Sequence, residues 1–225
     1  ITKNAQNELI DQFEYKKCEQ VRTYKPKPVL QFPQVEDAAD LINQAKKPYL
    51  LAGQGVLLSG ATDELVALSE KTGIPVACTL LGLGAFPTDH PNYVGFLGMH
   101  GNYGPNVNTN ECDVLIAVGM RFDDRVTGNV AKYATQAKVV HIEIDRAEIN
   151  KIIKADMGIH ADAKEALTEL TKLCKAGNHN SWIKSFEALN HMEHEKVISR
   201  EFNPSGELKM AEVINHLSLL THVKA

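Results

Sequence analysis

The sequence predicts an α/β fold in which helices cover both faces of a parallel β-sheet of five or six strands. Two observations predict it: short, β-branched apolar runs recur along the chain, and amphipathic helical stretches separate them. Strands that are apolar on both sides need cover on both faces, which crossover helices supply. We therefore expect a Rossmann-like, doubly wound parallel sheet.

Five strands can be identified directly, and a sixth is expected to be hidden. In chain order the five are PYLLAG, IPVACTL, DVLIAVGM, KVVHIEID and MGIHA. They have the length and branched-residue content of buried strands.

Helix candidates lie before and between these strands. EDAADLINQAKK carries its apolar residues on one helical face. ATDELVALSEKTG follows the first strand, with Thr62 or Asp63 as the expected N-cap and Gly73 as the C-terminal stop. The other candidates are RVTGNVAKYA, RAEINKIIK and DAKEALTELTKLC.

The pattern divides the chain into three zones. Residues 1–35 are polar and proline-containing, which predicts an extended arm. Residues 36–174 carry the alternating strands and helices, and residues 175–225 predict a linker and the start of another domain. The missing initiator Met and a late helical pattern, AEVINHLSLL, indicate a piece of a longer protein. The alternative is a natural C-terminal helix that docks on the core.

Composition excludes several classes of protein. A net charge of −4 over 225 residues is no footprint for nucleic acid, and no apolar run reaches the roughly 20 residues of a membrane span. The start shows no secretory signal. The cysteines are widely spaced, which predicts reduced thiols in a cytoplasmic protein: Cys18, Cys78, Cys112 and Cys174.

The turn after the first strand contains two glycines, Gly53 and Gly55, around Gln54. A dinucleotide fingerprint needs a third glycine where the chain has Leu58, and an acid at the end of the second strand, where the chain has Thr79 and Leu80. This turn therefore has two open interpretations, a phosphate cradle and a tight strand-to-helix turn.

Residues 81–106 hold six of the 15 glycines of the chain. Long loops in compact domains are usually functional or disordered, and this one is too apolar for disorder. We expect an ordered loop that clasps a ligand, with a packing insertion as the alternative. His100 within it is a candidate for ligand contact or for a core hydrogen bond.

Charged residues follow the later strands. Arg121, Asp123 and Arg125 follow DVLIAVGM, where guanidinium groups suit phosphate or carboxylate, although a surface ion-pair cluster is the alternative. Glu143 and Asp162 end or follow the last two strands, and can bind ribose hydroxyls or cap the next helix.

Motifs for self-sufficient catalysis are missing. The chain has no phosphate-binding GxxxxGK[ST] loop, no nucleophile elbow and no Ser-His-Asp order. His191 and His194 lie three apart on a charged stretch, which favours a solvated helix face over a metal site.

Four motifs taken together, GLGAFPTDHP, GFLGMHG, VGMRFDDRVTGN and HIEID, closely resemble the large catalytic subunit family of acetohydroxyacid (acetolactate) synthase. The resemblance covers nearly the whole chain. It implies a transferase that joins two 2-keto acids, pyruvate with pyruvate or 2-ketobutyrate, with loss of CO₂ in branched-chain amino-acid biosynthesis. The parent enzyme would use thiamine diphosphate and Mg²⁺, form homo-oligomers and bind a regulatory small subunit.

The resemblance also implies that residues 36–174 form the FAD-binding central domain, in which FAD performs no net redox chemistry. The matching cofactor-binding positions are Gly53, Gln54, Gly55, Thr79, Leu80, Leu97, Gly98, Met99, His100, Gly119, Met120, Arg121, Asp123, Arg125, Val126, Glu143, Ile144 and Asp162. Lys3, Met99 and Arg125 match positions along the substrate channel, with Arg125 facing a keto-acid carboxylate.

The family's catalytic glutamate and its GDG-type Mg²⁺/diphosphate motif do not occur here, and the chain contains no GDG triplet. A thiamine cofactor needs both orientation and electronic tuning from the protein. We therefore expect this chain alone to form no acetolactate. The alternative function is a non-catalytic scaffold or oligomerisation domain with a vacant nucleotide site.

Overall fold

The computed structural model describes residues 28–198, residue 206 and residues 208–221. Six strands form one parallel sheet: β1 (Pro48–Ala52), β2 (Val76–Cys78), β3 (Tyr93–Phe96), β4 (Val114–Val118), β5 (Lys138–Glu143) and β6 (Met157–His160). Their spatial order is β3-β2-β1-β4-β5-β6. The order reverses between β1 and β4, where doubly wound sheets open their ligand crevice. The predicted α/β fold is confirmed.

The helices in the described ranges are α1 (Phe32–Gln44), α2 (Gln54–Leu58), α3 (Thr62–Thr72), α4 (Tyr103–Asn108), α5 (Asp124–Thr127), α6 (Ala163–Leu173), α7 (Asn180–Lys196) and α8 (Met210–Thr221). Single 3₁₀ turns occur at Leu80–Gly82 and Val130–Lys132. Among these ranges no helix combines the length and the apolar character that crossing a bilayer requires.

Two hydrophobic cores lie on opposite faces of the sheet because side chains alternate along each strand. Leu50 of β1 points into the core made with α1, α3 and α6. Its neighbours Tyr49 and Leu51 point into the second core, which Trp182 and Phe186 of α7 help to fill. Both faces of β1 are therefore buried, as its apolar sequence predicts.

The hidden sixth strand is β3, which lies inside the glycine-rich segment 81–106. That segment is therefore not one loop, because it also contains the start of α4. Among the described residues β3 pairs only with β2, at the edge of the sheet, and it is mostly half-exposed, so it lacks the continuous apolar run of the central strands.

Two predicted helices are wrong. RAEINKIIK forms turns instead, because Asn150 adopts a left-handed φ of 64° and its side chain accepts the N–H of Ala155 at 2.8 Å. Such local side-chain bonds compete with helical ones. RVTGNVAKYA breaks at Gly128, whose φ is 55°, into the short α5 and the 3₁₀ turn.

The ends of α3 bear out one expectation and overturn another. The N-cap position is Ala61, so the predicted cap at Thr62 or Asp63 is wrong, and both are already helical residues. Gly73 stops the helix as predicted, with a left-handed φ of 68° that glycine adopts without steric cost.

Candidate functional site

The carboxyl ends of the six parallel strands meet at one side of the molecule, here called the carboxyl end of the sheet. Every predicted cofactor-binding residue lies there. Residues 53–55 follow β1, Thr79 and Leu80 follow β2, residues 97–100 follow β3, residues 119–126 follow β4, Glu143 ends β5 with Ile144 directly after it, and Asp162 follows β6. Lys3 lies outside the described residues.

The turns after β1 and β4 pack backbone against backbone. The N–H of Gly53 donates to Val118 O and that of Gly55 donates to Gly119 O, both at 2.9 Å. A Cβ added at Gly53 would lie 2.3 Å from Gly119 O, and one at Gly55 would lie 2.6 Å from Gly119 Cα. The tight-turn interpretation therefore accounts for these glycines without any ligand, and Gln54 between them is exposed.

The segment after β2 combines a fixed backbone with exposed apolar side chains. The buried Thr79 donates its N–H to Ala52 O at 2.9 Å. A Cβ at Gly82 would lie 2.3 Å from that same oxygen, so Gly82 is needed for close packing. Leu80, Leu81 and Leu83 all point into solvent. Sequence reasoning identified Leu80 but missed Gly82 as a packing residue.

The segment after β3 is joined to the segment after β4. The Met99 N–H donates to Arg125 O at 2.7 Å, and a Cβ on Gly98 would lie 3.0 Å from the same oxygen. Asn106 of α4 holds Gly98 on both sides, because its Oδ1 accepts the Gly98 N–H and its Nδ2 donates to Gly98 O, each at 3.0 Å. Sequence reasoning missed Asn106, whose one visible signal was its place at the end of the glycine-rich segment. Leu97 is buried, whereas Met99 and His100 are exposed.

The charged residues after β4 form an ion pair and a helix cap. The exposed Arg121 forms a weak ion pair with Asp123 at 3.7 Å. Asp123 also caps α5 by accepting the Arg125 N–H at 3.1 Å. The Arg125 side chain is exposed at the carboxyl end, beside the half-buried Val126. Met120 is buried, and its carbonyl accepts a hydrogen bond from His141 Nε2 at 3.0 Å.

Acidic residues at the ends of β5 and β6 accept hydrogen bonds from the backbone N–H groups that follow them. Glu143 is buried, and its Oε1 accepts the N–H groups of Ile144 at 2.9 Å and Asp145 at 3.2 Å. Burial raises the pKa of Glu143 above its ordinary value, although these two bonds oppose the shift. Asp162 is the N-cap of α6 and accepts the Lys164 N–H at 2.9 Å. Ile144 is exposed.

A cavity of about 410 Å³ opens beside Met99 and Arg125. α4 supplies Asn106 to one wall, and Tyr133 lines another. The Tyr133 hydroxyl is buried without a hydrogen-bond partner, and burial raises its pKa above the ordinary tyrosine value. A buried hydroxyl without a hydrogen-bond partner is costly to stability.

No cluster of three or more His, Cys, Asp or Glu side chains suited to a metal ion occurs within the described ranges. His191 forms an i,i+4 contact with Glu195 at 3.1 Å on the exposed surface of α7. The carboxyl end offers exposed apolar side chains, backbone groups, the buried Glu143 and exposed guanidinium groups that include those of Arg121 and Arg125.

Comparison with known proteins identifies the domain. The family model for the thiamine pyrophosphate enzyme central domain matches residues 35–170. A protein of Methanocaldococcus jannaschii named "Probable acetolactate synthase large subunit" is 51% identical over 147 residues, which cover 65% of this chain and 25% of that protein. The acetolactate synthase large subunit of Buchnera aphidicola subsp. Schizaphis graminum is 37% identical over 202 residues, 89% of this chain and 35% of that protein.

A solved structure shares the fold. An enzyme of Mycobacterium smegmatis assigned to the thiamin diphosphate-dependent class superposes with a TM-score of 0.58 at 26% identity, covering 70% of this chain and 30% of that one. This chain spans between a quarter and about a third of the length of the two curated relatives. The predicted resemblance to acetolactate synthase large subunits is confirmed. With its six-stranded sheet and the match over residues 35–170, the chain belongs to the thiamine pyrophosphate enzyme family, in which it corresponds to the central domain.

Proposed function

We propose that this chain binds FAD along the carboxyl end of its sheet, as the central domain of an acetolactate synthase. The observation that supports this most is that all the predicted cofactor-binding residues within the described ranges follow the carboxyl ends of neighbouring strands. Six strands at the usual spacing of about 4.8 Å extend over roughly 24 Å, enough for an elongated dinucleotide. Ligands of doubly wound sheets bind at this end.

The donor set fits the two halves of such a cofactor. Exposed Leu80, Met99 and Ile144 offer apolar surface beyond β2, β3 and β5, which suits flat aromatic rings. Arg121 beyond β4 offers an exposed guanidinium group, which suits a diphosphate. Its bond to Asp123 is long at 3.7 Å, so little interaction is lost when the guanidinium turns to a ligand.

The residues would divide the work along the sheet. The exposed Met99, the backbone at Leu97 and the chain around Arg125 would hold the flavin, while Glu143, Ile144 and Asp162 would lie at the adenosine end. The glycines after β1 and β4 have no side chains, so the middle of the cofactor could approach the backbone closely there. When bound, FAD would supply no net electron transfer, because the resemblance implies a structural role.

The whole enzyme's activity is the second part of the proposal. Acetolactate formation, thiamine diphosphate, Mg²⁺, the homo-oligomer and a regulatory small subunit would belong to the parent protein, and the isolated chain would be inactive. The support is that the chain has no GDG triplet for a diphosphate-bound metal. An assay of the pure chain with pyruvate, thiamine diphosphate, Mg²⁺ and FAD should yield no acetolactate, and any product above the no-protein control would contradict this part.

FAD binding is tested by titrating the chain with FAD while following flavin fluorescence and the melting temperature. Saturable binding should appear, and a ligand at 100 times its Kd stabilises a protein by about 2.7 kcal/mol. Riboflavin is the matched control, because it has the ring but neither phosphate nor adenosine, and it should bind more weakly. Unchanged fluorescence and melting temperature at saturating FAD would contradict binding and favour the scaffold with a vacant nucleotide site.

A further inference from the structure

Asn106 lies where the segment after β3 (residues 97–100) meets the segment after β4 (residues 119–126). It lies on α4 rather than at the end of any strand, and its amide is occupied on both sides by the backbone of Gly98, with two bonds of 3.0 Å. One side chain thus holds both the N–H and the carbonyl group of Gly98. Gly98 lies in a glycine-rich segment, where the backbone has the most conformational freedom. Gly98 itself has a left-handed φ of 120°.

The next residue carries this restraint across to the neighbouring segment. Met99 donates its N–H to Arg125 O at 2.7 Å, so the Gly98 peptide and the Arg125 peptide move together. Asn106, Met99 and Arg125 all line the cavity of about 410 Å³. The relative placement of the Met99 and Arg125 side chains therefore depends on a hydrogen-bonded chain that begins at Asn106.

Helix α7 holds the first turn of α4, from which Asn106 and its series of hydrogen bonds begin. Asn190 accepts the Gly104 N–H at 3.0 Å and donates to Val94 O at 2.9 Å. Glu193 accepts the Tyr103 N–H at 3.1 Å. These bonds hold the first turn of α4 against β3, so Asn106 projects from a support that is fixed at its other end.

We infer that Asn106 is a positioning residue that sets the mutual placement of Met99 and Arg125 for ligand binding. This rests on the proposed function, because the ligand used to read it out is FAD. Asn106 acts through Gly98 and need not touch the ligand. Its amide both accepts and donates here, and a carboxylate of the same shape can only accept.

The test compares FAD affinity in the full chain for wild type, Asn106→Ala, Asn106→Asp and Ser185→Ala. Ser185 of α7 accepts a hydrogen bond from Asn108 at 3.1 Å, so its loss weakens the α4–α7 contact without touching Gly98. Asn106→Ala should weaken FAD binding about tenfold, equivalent to about 1.4 kcal/mol. Ser185→Ala should leave affinity within about twofold, even where its melting temperature falls.

Asn106→Asp adds a pH dependence of FAD affinity, which would not change if Asn106 only stabilised the fold. Above its pKa the carboxylate faces the Gly98 carbonyl oxygen and repels it, whereas the protonated acid donates and accepts as the amide does. Its FAD affinity, expressed as a ratio to wild type at each pH, should therefore be low at neutral pH and recover as pH falls to about 4 and below, where an ordinary aspartate becomes protonated. A flat ratio, or an Asn106→Ala chain with wild-type affinity, would overturn the positioning role.

Hydrogen exchange separates failure of this inference from failure of FAD binding. If wild type takes up no FAD, the proposed function fails. The positioning role of Asn106 is then tested by the exchange rate of the Met99 amide hydrogen alone. Asn106→Ala should expose that amide to faster exchange, while the Leu97 amide, bonded to Cys78 O at 3.0 Å, stays protected. Equal exchange of Met99 in wild type and Asn106→Ala would overturn the inference.

Discussion

The amino end of the sheet, where the strands begin, differs from the carboxyl end less in how its polar groups are paired than in the side chains that are left exposed. Asp113, just before β4, accepts the N–H groups of Lys46 and Lys47 at 2.6 and 2.9 Å. Asp156, before β6, accepts from Lys138 Nζ at 2.8 Å and from the Val139 N–H at 3.0 Å. These carboxylates join neighbouring strand starts to one another.

At the carboxyl end Glu143, Asp162 and Asn106 also pair with backbone groups, and the difference lies in the side chains that are left exposed. The ion pair there between Arg121 and Asp123 is longer, at 3.7 Å, and Leu80, Met99 and Ile144 are exposed to solvent. Tight backbone packing at the glycines coexists there with side chains that have little to contact. One end of the sheet is thus completed by its own side chains, and the other offers groups to a ligand, which is why we place binding there.

The largest effect is expected at the backbone contact between the turns after β1 and β4. Gly53→Ala places a methyl group 2.3 Å from Gly119 O and 2.4 Å from Met120 Cβ, neither of which can move without the backbone. We expect the free energy of unfolding to fall by about 3 kcal/mol, measured by denaturant titration. Gly60→Ala is the matched control, since no atom lies within 4 Å of its added Cβ and only its φ of 61° opposes the change. It should cost about 1 kcal/mol, and equal losses would contradict the packing role.

A smaller effect is expected at the amino end. Asp113→Ala removes the acceptor of two backbone N–H groups and should lower the free energy of unfolding by about 1–3 kcal/mol. Glu111→Ala is the control, because its exposed carboxylate only approaches Lys47 at 4.0 Å. It should change stability by less than about 0.5 kcal/mol. FAD affinity should be the same in both variants. A loss confined to Asp113→Ala would contradict the claim that the amino end takes no part in FAD binding.

The smallest effect is a pH dependence at buried His141 of β5. Burial lowers the pKa of His141, although the bond to Met120 O and the charge of Glu148 oppose the shift. The unfolded chain therefore takes up this proton first, at about pH 6.5, and stability falls as pH drops below that value, by at most about 1.4 kcal/mol per pH unit.

The variant His141→Asn isolates that contribution. His179 also has a lowered pKa through partial burial, and the raised pKa of Glu143 gives the opposite slope at lower pH, because its stabilisation is lost as pH rises. The difference between wild type and His141→Asn across about pH 7 to 5 removes both. Parallel stability curves for the two chains would show that His141 does not titrate as its burial requires.

What the sequence predicts well is what burial alone determines. The central strand β4 is apolar throughout and buried at all five positions, so composition suffices to identify it. The edge strand β3 is half-exposed and contains Gly95, so the same signal is too weak there. The failed helix over residues 146–154 was decided by the left-handed φ of Asn150, which periodicity does not report.

The candidate site divides along the same line. The family resemblance implied most of the predicted site positions, and those within the described ranges lie at the carboxyl ends of strands, which converge in a parallel sheet. Asn106 was missed because its role depends on a contact across eight residues with Gly98. The glycines after β1 were identified, but their packing against Gly119, 64 or more residues away in the chain, appears only in three dimensions.

The most direct test of a ligand-binding carboxyl end uses two matched ion pairs. Arg121 and Lys138 have side chains that are 62% and 63% exposed, and their partners Asp123 and Asp156 are 41% and 37% exposed. The pairs lie at opposite ends of the sheet. FAD affinity should fall about tenfold or more in Arg121→Ala, because a charge-assisted contact to the diphosphate is lost, and should stay within about twofold in Lys138→Ala. Equal affinities in the two variants, or a greater loss in Lys138→Ala, would contradict the assignment of the site to the carboxyl end.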